Sequence, residues 1–251
     1  MNFKDKKVLI TGGSRGIGKA TALAFAEKGA IVGLNFKSNV DEAEKTLSEL
    51  TGKGHQLFQK DISQKESCQE LIDAFIKSFG QIDILVNNAG IFNPHKIDEG
   101  DFWEWSHAWE NTFQTNLFAA AHLCYWASQS MIKSGGGKII NVSSRGAFRG
   151  EPNAPAYGAS KAALNAMSQS LAKKLAPYNI TVGVVAPGFT ETEMGADALT
   201  PEESERLLAE SPFKRMAQPK EVAHAILFLA SEGAEYSSGT IIDVNGASYL
   251  R

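Results

Sequence analysis

Short β-branched and aliphatic runs alternate with longer helical patterns along the chain, and this alternation constrains the fold most strongly. Buried strands are predicted at residues 8–10, 31–32, 82–86, 139–142, 181–185 and 241–244, with a further strand at 57–60. An apolar stripe over residues 162–175 has helical spacing. The alternation predicts right-handed βαβ crossovers, and hence an α/β, doubly wound parallel sheet of about seven strands with helices on both faces.

The chain has 251 residues without a Pro/Ser-rich linker or an internal repeat, which predicts one Rossmann-type domain over residues 1–251. Two helix starts are predicted from capping boxes. One pairs Ser63 with Glu66, and the other pairs Thr200 with Glu203, with Pro201 at the first helical position.

Composition and charge exclude several classes of function. The formal net charge is −3 and no basic run occurs, so nucleic-acid binding is not expected. The five histidines never fall at metal-ligand spacing, and we expect no metal site. No apolar stretch is long enough for a membrane span, and the two distant cysteines indicate reduced thiols. We therefore expect a soluble, cytoplasmic protein.

A glycine-rich turn follows the first strand and opens the next helix. The segment 11–18 reads Thr-Gly-Gly-Ser-Arg-Gly-Ile-Gly, with Gly12, Gly16 and Gly18 spaced as Gly-x-x-x-Gly-x-Gly. Glycines at such a turn let the backbone approach a pyrophosphate, which then lies on the positive N-terminus of the helix. The turn predicts a dinucleotide site.

The end of the second strand favours NADP(H) over NAD(H). An NAD site usually places a carboxylate about 20 residues beyond the glycines. The only acid between Gly18 and Asp41 is Glu27, which belongs inside the first helix. Lys37 and Arg15 can pair with a 2′-phosphate, and no carboxylate is expected there to oppose it. The alternative is that both are ordinary solvated cations.

Asp61 follows the third strand at the carboxyl edge of the predicted sheet, where such sheets bind ligands. Its carboxylate can accept a hydrogen bond from an adenine amino group. It can equally cap the helix predicted near Ser63. The residues alone leave both interpretations open.

Tyr157 and Lys161 are four residues apart and share one face of a predicted helix. An ammonium group beside a phenol favours the phenolate, and we expect Lys161 to lower the pKa of Tyr157 by roughly 1–3 units. Ser143 and Ser144 close the strand at 139–142, where a hydroxyl can hold a substrate oxygen as charge develops on it. The three groups predict acid–base chemistry on a carbonyl or an alcohol.

Together these motifs resemble the short-chain dehydrogenase/reductase family over nearly the whole chain. They are the glycine turn, Asn-Asn-Ala-Gly at 87–90, Asn116, Ser144, Tyr157 thirteen residues later, Lys161, Pro187-Gly188 and Thr192. The resemblance implies Tyr157 as general acid/base, Ser144 as the group that orients the carbonyl, and Lys161 on the nicotinamide ribose. It also implies that Asn116 holds a water in a proton relay and that Asp61 meets the adenine.

The resemblance further implies a set of cofactor-binding residues, and a homo-oligomer, usually a tetramer. The set is Gly12, Ser14, Arg15, Gly16, Ile17, Gly18, Lys37, Asp61, Ile62, Asn88, Gly90, Tyr157, Lys161, Pro187, Gly188 and Thr192. The expected reaction is NADP(H)-dependent reduction of a ketone or aldehyde, or the reverse oxidation. A dinucleotide-binding regulator without catalysis is the alternative from another class, although the four catalytic positions are all present.

Within the family the chain is most similar to 3-oxoacyl-carrier-protein reductases, in the segments 186–194 and 228–231. Arginines that would meet an acidic carrier are missing near Gly135 and Tyr178, so a sugar or polyol dehydrogenase using NAD is another alternative. The segment 91–110 is longer than usual and rich in aromatic residues, which either roof the substrate pocket, meet another subunit or pack internally. The segment 195–216 resembles the family's mobile lid.

Overall fold

The sheet forms the centre of the molecule. The structure is a computed structural model that describes residues 1–192 and 208–251. Its seven strands are all parallel, in the order β3-β2-β1-β4-β5-β6-β7. The strands are β1 Lys7–Thr11, β2 Ile31–Phe36, β3 Gln56–Gln59, β4 Ile84–Asn87, β5 Gly137–Val142, β6 Ile180–Pro187 and β7 Ile241–Val244. The predicted α/β doubly wound fold is confirmed.

Helices cover both faces of the sheet. In the described ranges they are α1 Gly16–Glu27, α2 Val40–Glu49, α3 Lys65–Phe79, α4 Phe102–Phe113, α5 Ala119–Ser134, α6 Gly146–Arg149, α7 Pro155–Leu175 and α8 Pro219–Ala230. A π turn, Gln114–Phe118, joins α4 to α5. Among the helices described, none has the length and apolar character needed to cross a membrane.

The core lies in two layers because successive strand residues point to opposite faces. Val8 and Ile10 of β1 pack with Phe25 of α1 and with residues of α8. Leu9, between them in sequence, packs on the other face with Phe75 of α3 and residues of α5. Near-continuous burial of both faces is what a parallel sheet requires, and it explains why its strands are apolar runs.

Two of the sequence predictions about helices and strands are wrong, and others lie outside the described residues. The Ser63–Glu66 capping box is wrong, because α3 begins at Lys65 and Ser63 donates to Asp61 Oδ1 (2.7 Å). The prediction that strand β7 is buried is also wrong. It lies at the sheet edge, where Asp243 is exposed and its neighbours are half-buried. The capping box predicted at Thr200 lies outside the described residues, as does the larger part of the predicted lid.

The two cysteines lie in helices. Cys68 in α3 and Cys124 in α5 are buried and free. Burial raises the pKa of Cys68 to about 11 and that of Cys124 to about 12. Both are therefore unreactive thiols near neutral pH.

Candidate active site

In the turn after β1, the backbone of Gly18 lies unusually close to the backbone of Gly12. Gly12 and Gly16 have φ values of +60° and +53°, in the left-handed region that favours glycine. A Cβ on Gly18 would lie 2.1 Å from the carbonyl oxygen of Gly12, so any side chain at position 18 would force the backbone to shift. The glycines thus make a tight strand-to-helix turn that leaves the N-terminus of α1 open to a phosphate.

The segment after β4 is fastened to this turn. The Asn88 side-chain amide donates to the carbonyl oxygens of Thr11 and Gly12, at 3.0 and 3.1 Å. The Thr11 hydroxyl accepts from the backbone N–H groups of Asn88 and Ala89, both at 3.1 Å. Strands β1 and β4 are neighbours on either side of the point where the strand order reverses, the usual ligand crevice of such sheets.

The structure brings Ser144, Tyr157 and Lys161 together at the carboxyl ends of β5 and β6. Ser144 follows β5 and shares a side-chain hydrogen bond with Tyr157, and its Oγ also accepts from Gly146 N (3.0 Å). Lys161 is buried, and its Nζ donates to Val142 O (2.9 Å). Ser143 faces away and donates its hydroxyl to Lys161 O (3.3 Å). Ser144 is therefore the hydroxyl that faces the phenol.

The expectation that Lys161 lowers the pKa of Tyr157 is wrong. Burial raises the pKa of Tyr157, the hydrogen bond with Ser144 opposes the rise, and the charge of Glu151 adds to it. The Lys161 ammonium lies 5.8 Å from the centre of the Tyr157 ring and is bonded to a backbone carbonyl. Burial also lowers the pKa of Lys161 to about 8. The phenol is thus held in its protonated form.

Asn116 stands behind these groups, in the π turn between α4 and α5. Its Oδ1 accepts from Ile91 N (2.8 Å), and its Nδ2 donates to Ile91 O (3.0 Å) and Ser160 Oγ (3.3 Å). A Cβ on Gly90 would lie 3.3 Å from Asn116 Oδ1 and 3.4 Å from Lys161 Nζ. Gly90 therefore separates two polar groups that a side chain would crowd.

One cleft, with a volume of about 870 Å³, joins the glycine turn to the three catalytic candidates. Every predicted cofactor residue except Gly18 lines it, as do Ser144, Tyr157 and Lys161; Asn116 does not. The cleft is continuous from Lys37 through the glycine turn to Tyr157, so its shape and its donors fit an extended dinucleotide. The glycines leave room for phosphates, and two cations, Arg15 and Lys37, line the end beyond the turn.

Comparison with known proteins identifies the family. A family model described as Enoyl-(Acyl carrier protein) reductase matches residues 12–247. The chain is 40% identical to the 3-oxoacyl-[acyl-carrier-protein] reductase FabG of Haemophilus influenzae over 248 residues, covering 99% of this chain and all of the relative. It is 36% identical to the FabG of Staphylococcus aureus over 247 residues, 98% of each chain.

Solved structures agree. A protein described as a short-chain alcohol dehydrogenase, from Sinorhizobium meliloti, has a TM-score of 0.92 and 32% identity, over 98% of this chain and 97% of that one. The chain belongs to the short-chain dehydrogenase/reductase family. This short-chain dehydrogenase/reductase is therefore an oxidoreductase that acts on CH–OH or C=O groups with NAD(P).

The end of the cleft near Lys37 departs from the sequence expectation. Lys37 Nζ lies 2.9 Å from Asp61 Oδ2, so the expectation that no carboxylate stands beside Lys37 is wrong. Asp61 Oδ1 accepts from the backbone and hydroxyl of Ser63, at 3.1 and 2.7 Å, and it does not cap α3. Burial acts to raise the pKa of Asp61, but the hydrogen bonds from Lys37 and Ser63 outweigh it and keep that pKa low.

The aromatic residues of segment 91–110 divide between internal packing, the surface and the cleft. Trp105 and Trp109 share a face of α4, with ring centres 5.3 Å apart, whereas Trp103 and Phe102 are exposed. Of these aromatic residues Phe92 lines the cleft, and its ring packs edge-on against that of Tyr157, with ring centres 5.0 Å apart. A phenylalanine five residues after a β4 strand end gives no sequence signal for that contact.

A charged wall that the sequence did not predict lies beside Ser144. Arg145 and Arg149 both donate to Glu210 Oε2, at 2.8 and 2.6 Å, and both line the cleft near Ser144. Glu151 lies 4.0 Å from Arg149 Nε, and burial raises its pKa although the charge of Arg149 opposes the rise. Arg145, Arg149 and Glu151 lie between Ser144 and Tyr157 in sequence, and that position could have indicated that they lie near the site.

Proposed function

We propose that this chain reduces a ketone or an aldehyde with NADPH, or runs the reverse oxidation, with Tyr157 as the general acid/base. The observation that carries the proposal is the single cleft in which Ser144, Tyr157 and Lys161 meet at one end and Lys37 and the glycine turn lie at the other. A non-catalytic regulator would have no need of four interdependent polar groups in this arrangement. We also propose that residues 1–251 form one domain.

Bound NADPH would supply the hydride that adds to the carbonyl carbon. Tyr157 donates its phenolic proton to the carbonyl oxygen, which balances the reduction to an alcohol. The phenol is protonated at neutral pH, so the proton for this step is in place, although burial raises the pKa of Tyr157 and so makes it a weaker acid. Ser144 holds the carbonyl oxygen and stabilises the phenolate that forms. Lys161 would bind the nicotinamide ribose, and Asn116 would hold a water in the relay that returns a proton to Tyr157.

NADP(H) is preferred to NAD(H) because of Lys37 and Arg15. A 2′-phosphate carries about −1.5 to −2 charges and forms strong charge-assisted hydrogen bonds with such side chains. The ion pair of Lys37 with Asp61 is on the surface, where such pairs contribute about 0–1 kcal/mol, so a phosphate competes with Asp61 successfully. Glu27, the nearest acid in sequence beyond the glycines, lies exposed at the end of α1.

Titration with NADPH and NADH tests the cofactor preference. We expect NADPH to bind at least about tenfold more tightly, the equivalent of one charge-assisted hydrogen bond. The Arg15→Ala/Lys37→Ala variant should remove that difference while NADH affinity stays within about twofold. Lys53→Ala, in the exposed turn before β3, is the matched control and should leave the preference intact. Equal affinities in the unmodified protein would refute the preference.

The substrate is a small carbonyl compound with groups that can hydrogen-bond the wall of Arg145, Arg149 and Glu151. The second candidate is a 3-oxoacyl group on a carrier protein, which the names of the FabG relatives favour. A panel of ketones, aldehydes and acetoacetyl thioesters, free and on a carrier protein, tests both by loss of NADPH absorbance. Turnover of the carrier-bound thioester far above all free carbonyls would make the second candidate correct. Absence of turnover across the whole panel would refute both.

We further propose that the chain forms a homo-oligomer, a tetramer by analogy with its family. A cytoplasmic location stays a prediction.

A further inference from the structure

The helix that carries Tyr157 starts without a side-chain cap of its own. The residue before α7 is Ala154, which has no side chain that can accept, and Pro155 at the first helical position has no N–H. The N–H groups of Tyr157 and Gly158 both reach Ala154 O, at 2.9 and 3.4 Å. The N–H of Ala156 therefore has no acceptor within the helix. Because Ala156 is fully buried, solvent water does not accept from this N–H either.

His95 supplies the missing acceptor from a distant loop. Its Nε2 lies 3.2 Å from Ala156 N, and its Nδ1 lies 2.7 Å from Asn93 O. An imidazole nitrogen that faces an N–H accepts, and one that faces a carbonyl oxygen carries a proton. The two partners therefore fix His95 as the neutral tautomer with its proton on Nδ1. In this form the ring acts as the N-cap that α7 lacks.

The same loop contacts the catalytic candidates at two further points. Ile91 is bonded through its backbone to the side chain of Asn116, and the ring of Phe92 packs against the ring of Tyr157. The backbone N–H of His95 donates to Asn153 O (2.7 Å), just before α7. Residues 91–95 thus join the π turn, the phenol ring and the N-terminus of α7.

The His95 ring is itself held in place. It is buried, and the rings of Trp105 and Trp109 lie around it with centres 6.5 and 6.3 Å away. The tryptophans of α4 therefore orient a histidine that in turn caps the catalytic helix. Trp105 and Trp109 therefore have a role beyond filling space, because they support the residue that caps α7.

We propose that His95 is a positioning residue for Tyr157: its Nε2 caps the N-terminus of α7 and so fixes where the phenol stands. His95 does not touch the substrate or the cofactor in this role. It acts through the backbone of Ala156, the residue before Tyr157. The inference rests on the proposed function, because it is read through turnover that depends on Tyr157.

Two substitutions separate the hydrogen bond from the shape of the side chain. His95→Gln places an amide oxygen within reach of Ala156 N, and His95→Leu fills the space among the tryptophans with no acceptor. We expect His95→Leu to lower kcat about 10- to 100-fold, the range expected when a reacting group is displaced by about an ångström. NADPH affinity should change less than about twofold, because the glycine turn is unaffected. His95→Gln should restore most of kcat.

A purely space-filling role predicts the reverse order, with leucine tolerated and glutamine poorer. That result would overturn the proposal, as would His95→Leu with a kcat near that of the unmodified protein. His107→Leu, on the exposed face of α4, is the matched control and should leave kcat unchanged. If His95→Leu fails to fold, His95→Asn replaces it, since its shorter amide reaches Asn93 O but not Ala156 N. Glutamine must then exceed asparagine in kcat.

Hydrogen exchange gives a readout independent of turnover. The amide of Ala156 should be protected in the unmodified protein and in His95→Gln, and it should exchange faster in His95→Leu. Equal protection in all three would contradict the capping bond. Unmodified protein that binds NADPH but reduces no carbonyl would refute the proposed function instead, and the exchange result would still decide the cap.

Discussion

At the scale of the residue, Lys161 has the most unusual environment in the site. Its side chain is buried and its one bonded partner in the described structure is a backbone carbonyl, Val142 O. Burial lowers its pKa from the ordinary 10.5 to about 8. Burying a lysine in this way lowers the free energy of unfolding, and active sites commonly hold functional groups in position at such a cost.

The stability cost of burying Lys161 falls as the pH rises. Because the folded pKa lies below the unfolded value, the folded protein binds the lysine proton more weakly than the unfolded chain. The penalty is complete below about pH 8 and disappears as the pH rises towards 10.5. Lys161→Met should therefore raise the free energy of unfolding near neutral pH, by up to about 3 kcal/mol.

Urea unfolding of the unmodified protein and of Lys161→Met, at about pH 7 and about pH 9.5, measures this effect. The stability gain of the variant should shrink at the higher pH. Lys174→Met, an exposed lysine near the end of the same helix, is the control and should give no comparable gain. A variant that is less stable than the unmodified protein at pH 7 would contradict the account of Lys161.

The choice of Ser144 over Ser143 could be made from spacing, because thirteen residues separate it from Tyr157. The pKa of Tyr157 could not be predicted, because helical spacing does not say which atoms of two side chains meet. The ammonium of Lys161 turned out to bond a strand carbonyl, and Glu151, from the loop between, adds its charge. Such contacts depend on the folded loops.

At the scale of the element, the turn between β1 and α1 has the least freedom. Gly18 faces the backbone of Gly12 and the side chain of Asn88, which fastens β4 to the same turn. The Cβ of an alanine at position 18 would lie within 2.1 Å of a carbonyl oxygen, a contact that only a backbone shift relieves. The turn and the cofactor site therefore depend on the same atoms.

Gly18→Ala should lower the free energy of unfolding by about 1–3 kcal/mol, the usual range for overpacking, and NADPH affinity by at least about tenfold. Gly80→Ala is the control, since Gly80 has a φ of +84° but nothing near its Cβ position. It should lose about 1–2 kcal/mol through backbone strain alone and keep NADPH affinity. Normal NADPH binding by a folded Gly18→Ala protein would contradict the role of the turn. Fluorescence titration gives the NADPH affinity, and urea unfolding gives the free energy of unfolding.

All seven predicted strands form, because each is a short apolar run bounded by polar or glycine-rich segments. Element ends were less predictable. Ser63 has the right sequence for a capping box, yet Asp61 lies two residues before it and takes its hydroxyl. Strand β7 has the apolar sequence of a buried strand, and only the strand order reveals that it is an edge.

At the scale of the whole molecule, apolar side chains lie on the surface beside α5. Phe118 and Tyr125 are seven residues apart, hence on one helical face, and are 46% and 58% exposed. Exposed apolar residues grouped in this way mark interaction surfaces. We expect light scattering to give the mass of an oligomer, and the Phe118→Glu/Tyr125→Glu variant to give a smaller species.

Tyr178→Glu is the matched control, because Tyr178 is 45% exposed in the short turn before β6, which contacts α5 at its Gly135 end and not at Phe118 and Tyr125. It should leave the oligomer intact. A single-chain mass for the unmodified protein at micromolar concentration would refute the oligomer. An intact oligomer in the double variant would refute this surface as the interface.

The whole molecule places a proton donor and a dinucleotide crevice at one edge of one sheet, and Tyr157 is the residue on which the account depends. The most direct measurement is therefore NADPH consumption by Tyr157→Phe beside the unmodified protein, with the best carbonyl of the panel and with NADPH binding followed in parallel. We expect a loss of turnover of about 10²-fold or more with NADPH affinity largely kept. Near-normal turnover by Tyr157→Phe would contradict it.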